Sequence, residues 1–217
     1  MKKIIVMGLA SLVLFSSTLS FKVSADEQIE ADAAEAPLVV EEIVQKDACT
    51  YSLTLTTNAS QKTIWRLWED VENWKDYDTI LEYSYLADEA DFVVGAKGFV
   101  KADGAPRTKF ELISVDSGNS FVESLKLPLW STLELKRYVS KNEEGETVFT
   151  HEVEFKGFMK RAYYLLLAKT FKKELRLVMG RMKALAESRD QAASEEVEGD
   201  ATDKQTDSID SLQPEPQ

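Results

Sequence analysis

The sequence predicts an α+β domain in which seven antiparallel strands are covered on one face by a long C-terminal helix, with two short helices between the first and second strands. Three observations predict it. Apolar and polar residues alternate over 51–57 and over six later segments, short turn-forming clusters separate those later segments, and a single apolar stripe recurs at spacings of four and three toward the C-terminus. The 217 residues suffice for one such domain with flanking segments.

The first strand places Tyr51, Leu53 and Leu55 on one face and Ser52, Thr54 and Thr56 on the other. Ser60 is placed to cap a helix running through Glu69, with Ile64, Trp65, Leu67 and Trp68 on its apolar side. A second short helix near 73–77 adds Trp74. Extended segments follow at 81–87, 96–101, 107–115, 120–127, 131–140 and 147–156, joined by turns rich in Gly, Asn and Asp. Strands joined by short turns pair antiparallel. The closing helix, 158–187, carries Tyr164, Ala168, Phe171, Leu175, Val178, Met182 and Leu185 as its core stripe.

The ends have a different composition. Lys2 and Lys3 precede an apolar run ending near Phe21, and Val23, Ser24 and Ala25 supply small residues at cleavage spacing, so 1–25 reads as a bacterial signal peptide and the protein as periplasmic or secreted. Residues 26–47 and 188–217 each carry a net charge of −7 with few large apolar side chains, and are expected to be largely disordered. The folded middle, 48–187, is therefore close to neutral although the whole chain stands at −12. Without a basic footprint the chain is not expected to bind nucleic acid. One histidine and one cysteine exclude multi-histidine and cysteine-based metal sites and any internal disulfide, and no metal or cofactor is expected.

Candidate functional residues are those polar groups that fall on apolar strand faces. Asn142-Glu143-Glu144-Gly145 suits a three-residue hairpin loop with glycine in the left-handed position, which pairs Asn142 with Glu146 and sets Arg137 opposite His151. Phe149 and His151 share a face with Val153 and Phe155, and Glu123 has the parity of Phe121 and Leu125, so Glu123 is placed to balance Arg137. An inward Arg–His pair could orient a carboxylate, phenolate or quinone oxygen. Alternatively, Arg137 snorkels to water from the sheet rim while His151, kept neutral by its cationic neighbour, makes an ordinary core hydrogen bond. Tyr163, Tyr164, Leu167 and Phe171 belong to a helical segment that is apolar nearly all around, which fits burial, a pocket wall, or contact with a membrane or partner. Lys160, Arg161, Lys169, Lys172, Lys173 and Arg176 could touch anionic lipid heads in a transient membrane contact, or simply form the solvated side of the helix. Trp65, Trp68 and Trp74, at helical spacing, read as core.

The order of strand, two helices, six strands and long helix resembles the helix-grip fold of START-like (SRPBCC) proteins, the polyketide cyclase/dehydrase and lipid transport family. The features that carry the resemblance are the strand at 51–57, Asn58-Ala59-Ser60 opening a helix with Ile64-Trp65-Arg66-Leu67-Trp68-Glu69-Asp70, then Asn73-Trp74, Gly95 and Gly98, and the closing Lys183-Ala184-Leu185-Ala186-Glu187. The resemblance implies a curved sheet gripping the helix around an apolar cavity, in a family that binds lipids, sterols, polyketides or quinones and whose minority catalyses cyclisation or dehydration. It points to an exported carrier of a small hydrophobic ligand, with His151, Arg137, Glu123, Phe149, Tyr163, Tyr164, Leu167 and Phe171 as the ligand-binding set. The alternatives are a cyclase or dehydratase using the same cavity and a protein-interaction module without a small ligand. No catalytic residue is assigned.

Overall fold

A computed structural model describes residues 42–210, with side chains placed through residue 195. The expected signal peptide, 1–25, and most of the acidic linker lie outside the described residues. The strands are β1 (Val44–Asp47), β2 (Thr50–Thr57), β3 (Leu81–Leu86), β4 (Lys97–Ala102), β5 (Thr108–Asp116), β6 (Ser120–Leu127), β7 (Ser131–Lys141) and β8 (Thr147–Gly157). They form one antiparallel sheet in the order β1-β2-β8-β7-β6-β5-β4-β3. Between β2 and β3 come helix α1 (Gln61–Glu69) and a 3-10 segment (Val71–Asp76), and the chain closes with helix α2 (Lys160–Asp210).

The sheet has eight strands where seven were expected. The additional strand is β1, within the segment assigned to the acidic linker. All four of its residues are exposed, so it carries no alternating pattern that a sequence reading could detect. It is held by its neighbours: the Gln45 side chain donates to the Thr50 carbonyl at 2.9 Å, and Lys46 pairs with Glu152 at 2.5 Å.

A second departure is at the other end. The final helix passes Glu187 and continues to Asp210, through much of the segment expected to be a disordered tail. Glu187 accepts from the Thr57 hydroxyl at 2.9 Å and the Asn58 amide at 3.0 Å. One turn further on, Asp190 accepts from the Ser60 amide and the Thr63 hydroxyl. The start of α1 is thus capped from two sides, since Ser60 Oγ also accepts from the Thr63 amide at 3.2 Å, as its position predicted.

The inner face of the sheet is covered by α1, which packs on β7, and by α2, which packs on β8 and β2. Ile64, Leu67 and Trp68 are fully buried on α1, and Ala168, Leu175, Val178, Met179, Met182 and Ala186 are buried on α2. The core stripe of α2 drifts from the expected one: Met179 and Ala186 are the deeper residues, and Leu185 is only half-buried. A strict four-three spacing has a period of 3.5, whereas a straight helix has 3.6 residues per turn, so the contact line rotates by about 20° per heptad.

On the outer face, the middle of the sheet carries a ladder of charge in which Glu152 bridges Lys46 and Lys136, Lys136 also meets Glu154, and Lys156 joins Glu154 to Glu134. Burial works against the Glu152 carboxylate, but its two lysine partners together hold it below the usual carboxylate range. These partners explain how Glu134 and Glu152 can be buried on the outer face at all.

The helix extension can be tested directly. Asp190→Ala removes the acceptor on the α1 start and is expected to lower unfolding stability by about 1 kcal/mol, read as a shift in the urea midpoint. An unchanged midpoint would show that residues after Glu187 do not support the domain.

Candidate functional site

The β7–β8 hairpin fixes the geometry of the site. Gly145 adopts φ 83°, its amide donates to the Asn142 carbonyl at 3.1 Å, and the Asn142 amide donates to the Glu146 carbonyl at 2.9 Å. The left-handed conformation is one that glycine adopts without steric cost. This turn sets the register in which Arg137 pairs with His151. On its other side His151 pairs with Leu53 of β2, and Arg137 pairs with Phe121 of β6. Glu123, two residues further along β6, is therefore a diagonal neighbour of Arg137 on the same face.

These three residues meet in the interior. Arg137 Nη2 lies 2.9 Å from Glu123 Oε1, with the side chains only 12% and 3% exposed. The guanidinium sits 5.1 Å from the Trp74 ring centroid and 5.0 Å from that of Phe121. The snorkelling alternative is thereby excluded, because Arg137 turns inward to an ion pair and two aromatic faces. His151 is buried, with Trp68 at 5.8 Å and Phe149 at 6.3 Å between ring centroids.

The local electrostatics follow from burial. Desolvation, reinforced by the Arg137 charge, holds the His151 pKa well below 6.5, so the imidazole is neutral at pH 7. Burial pushes the Glu123 carboxyl upward, and Arg137 pulls it back by charge and hydrogen bonding. Asp78, just beyond the 3-10 segment, is pushed up to about 6, chiefly by burial, with Arg137 opposing the shift. Buried Tyr77 has its phenol pushed upward by desolvation; its hydroxyl reaches the Leu67 carbonyl at 3.4 Å.

Several polar atoms of this cluster have no partner. Arg137 Nε and Nη1, His151 Nε2, Trp68 Nε1 and Asp78 Oδ1 are buried without a hydrogen bond. Each such group costs on the order of 1–3 kcal/mol if nothing meets it, and native interiors contain few. Arg137 and His151, paired across β7 and β8, carry three of these orphan atoms, an arrangement suited to a polar atom of a ligand or to water.

Around this polar centre the space is filled by rings in contact. Trp65 packs edge-on against Trp68, Phe92 and Phe121, while Trp74 stacks on Phe110 and Phe121. The three tryptophans are core, as their spacing suggested. Phe92 differs from the other rings because it is carried by the β3–β4 loop and is only half-buried, 5.0 Å from Phe121. An open groove of about 170 Å³ lies across β4, β5 and β6, where Lys97, Lys109, Glu111 and Lys126 are among its lining residues. It is distinct from the Arg137 centre.

The eight expected site residues separate into two groups. Arg137, Glu123, His151 and Phe149 are brought together. Tyr164 and Phe171 instead pack on Phe155 at 6.0 and 6.3 Å, four residues along β8 from His151, or about 13 Å of strand. Tyr164 also donates to Gln45 at 2.7 Å, and Tyr163 is buried with its hydroxyl donating to the Pro128 carbonyl at 3.2 Å. Leu167 is half-buried on the same stretch of α2. Sequence reasoning missed Asp78 and Phe92, which lie outside any periodic element and carried no pattern signal, and it did not single out Tyr77 at the end of the expected 73–77 helix.

No protein-family profile matches the sequence, and no curated protein matches it. Solved structures do share its fold. A protein from Arthrobacter aurescens, solved by NMR, aligns with a TM-score of 0.53 at 15% identity over 68% of this chain and 91% of that one. The di-domain ARO/CYC StfQ of the steffimycin biosynthetic pathway aligns with a TM-score of 0.52 at 12% identity, over 66% of this chain and 52% of its own. At these identities the likeness shows the fold alone, an eight-stranded variant of the helix-grip arrangement.

Two measurements test the site. Arg137→Met strands the Glu123 carboxylate and is expected to cost about 3–5 kcal/mol, with much of that recovered in Arg137→Met/Glu123→Leu; equal losses in the two variants would show that the pair is not coupled. For pH, the folded His151 pKa is lowered, so the unfolded chain binds the extra proton and stability falls as pH drops below about 6.5. Asp78 has the opposite sign: its raised folded pKa adds stability as pH falls from about 6 toward its unfolded value. The stability difference between wild type and His151→Gln isolates the first effect. Urea melts from pH 7.5 to 5 should show it shrinking by up to about 1.4 kcal/mol per pH unit, and a constant difference would mean that His151 titrates normally.

Proposed function

We propose that the protein is an exported carrier or sensor for a small, mostly apolar molecule bearing an oxygen acceptor, a carboxylate, phenolate or quinone carbonyl. The observation that carries this reading is the Arg137 guanidinium, anchored on one edge by Glu123 at 2.9 Å and left with two unpartnered nitrogens beside an unpartnered His151 Nε2. An acceptor oxygen placed against either of these nitrogens would meet a desolvated donor. His151, neutral, can present Nε2 as a donor or as an acceptor, so it would accommodate a carboxylate or carbonyl oxygen or a ligand hydroxyl. The surrounding rings would supply apolar burial.

Because those rings are in contact, a ligand must displace some of them. Phe92 is the ring carried by a loop and only half-buried, and we assign entry to its outward swing. The helix-grip fold supports the reading, since its architecture places one helix-covered sheet face at the ligand's disposal. A cyclase or dehydratase use of the same residues is the second reading. It is favoured by the neutral imidazole, a competent general base, next to a guanidinium able to stabilise an enolate.

Native mass spectrometry of gently purified protein, together with quenching of tryptophan fluorescence by a naphthoate and a naphthoquinone, tests the proposal. Binding is expected for at least one probe, weakened tenfold or more in Arg137→Met/Glu123→Leu and faster in Phe92→Ala. The absence of any bound mass and of quenching by both probes, or unchanged affinity in the double variant, would overturn it. Turnover of a polyketone substrate abolished by His151→Gln would establish the second reading instead.

A further inference from the structure

We propose that the β6–β7 turn and the start of α2 form a docking surface for a bilayer rich in anionic lipid. The turn is the three-residue loop Pro128-Leu129-Trp130, closed by the pairing of Leu127 with Ser131. Leu129 and Trp130 both adopt left-handed conformations, at φ 56° and 52°. That region disfavours branched and aromatic side chains, and hairpin loops that need it normally use Gly, Asn or Asp. Here the strained positions carry two large apolar side chains and present them to solvent, Leu129 50% and Trp130 88% exposed. Neither folding nor solubility gains from that choice.

The turn is fixed rigidly to the β8–α2 junction. A Cβ on Gly157 would lie 2.1 Å from the Trp130 carbonyl oxygen, so only glycine permits the approach. The Phe158 amide donates to that same carbonyl at 3.3 Å. Ser131 Oγ accepts from the Met159 amide at 3.0 Å, and Tyr163 donates to the Pro128 carbonyl. The junction then contributes apolar surface of its own, with Phe158 81%, Leu165 82% and Leu166 45% exposed. Thus two segments place Leu129, Trp130 and Phe158 on solvent beside one joined stretch of backbone at one end of the sheet, with Leu165 and Leu166 exposed further along α2, apolar surface that calls for an apolar partner.

Charge selects the partner. Residues 158–173 contain five cations and no acid; Lys172 turns back onto Gln45 and the Tyr51 and Tyr164 rings, while Lys160, Arg161, Lys169 and Lys173 are exposed, as is Lys126 beside the turn. This concentration occurs in a chain of net charge −12. At physiological salt the screening length is about 8 Å, so charges within the patch itself weigh most in its contact with a charged surface. A second copy docking on the same patch would oppose cation to cation, which disfavours self-association. A bilayer interface accommodates all three features: tryptophan at the headgroup level, leucine and phenylalanine below it, and lysine and arginine among anionic headgroups. Among the described residues no helix is long and apolar enough to cross a membrane, so the contact is with the surface.

The tryptophans provide a direct readout. Of the four in the chain, Trp65, Trp68 and Trp74 are buried, leaving Trp130 as the solvent-exposed reporter. Adding phosphatidylglycerol-containing vesicles to the protein is expected to shift its emission to the blue and to float it with the vesicles, and pure phosphatidylcholine vesicles to do so at least tenfold less well. Trp130→Gly suits the left-handed position, so it should raise the thermal midpoint while abolishing the shift and weakening flotation at least tenfold. Lys160→Gln/Arg161→Gln/Lys169→Gln should weaken flotation on the anionic vesicles on the order of a hundredfold, about fivefold per cation. All variants share one N-terminus, so differences among them report on the patch. Equal binding to both vesicle types, or flotation of Trp130→Gly like that of the wild type, would overturn the proposal. So would concentration-dependent dimerisation lost in Trp130→Gly, which would make the patch a contact between copies.

Discussion

The buried Arg137–Glu123 pair constrains much of the interior. A guanidinium leaves water at low cost only if its charge is met, and here Glu123 meets it by an ion pair while the group sits over the faces of the Trp74 and Phe121 rings. Trp74 in turn donates its indole N–H to the Trp68 carbonyl at 2.8 Å, fixing the 3-10 segment against α1. The same charge lowers the pKa of His151 and opposes the rise at Asp78. Removing Arg137 would disturb the sheet face, the α1 packing and the protonation of His151 and Asp78 together. A buried pair of this kind is not a strong source of net stability, since its desolvation cost is large. The unpartnered nitrogens on the same guanidinium are the feature on which the proposed ligand site rests.

The two faces of the sheet handle charge in opposite ways. On the outer face Glu152 and Glu134 are paired with lysines that reach solvent, so the ladder stays near charge balance and is screened. On the inner face the charge is concentrated, dry and incompletely paired. The contrast separates fully paired from incompletely paired polarity in one sheet. It also explains why β8 is buried on both faces for its central residues, Thr150 to Val153, although its sequence alternates.

At one end of the sheet, the β6–β7 turn puts large apolar residues in a backbone conformation that glycine or asparagine would hold with less strain. Local stability is given up there, as it is at the Arg137 centre, where buried donors lack partners. The two places are served by the same hairpin neighbourhood: β6 and β7 carry Glu123 and Arg137 along their length and Leu129 and Trp130 at their shared turn.

Much of this was legible in the residues. The order of elements, the antiparallel meander, the Ser60 cap and the Asn142–Gly145 turn were readable because each depends on local periodicity or turn chemistry, and the turn alone sufficed to place Arg137 opposite His151. β1 was not readable, because an exposed edge strand has no hydrophobic period and is defined by what it pairs with. The continuation of α2 past Glu187 was hidden for a related reason: its acidic composition argues for solvation, and only the fold brings Asp190 to the α1 start. Phe92 and Asp78 joined the site through loops whose paths depend on packing elsewhere. Nor did composition reveal that Tyr164 and Phe171 form a cluster apart from Arg137, since parity assigns a residue to a face but not to a position along it. The sequence by itself determined which face each strand residue occupies, through local sterics and the alternation of side chains. Which of those residues became neighbours, and which polar atoms were left without partners, was decided by the tertiary structure, because both depend on long-range packing and desolvation.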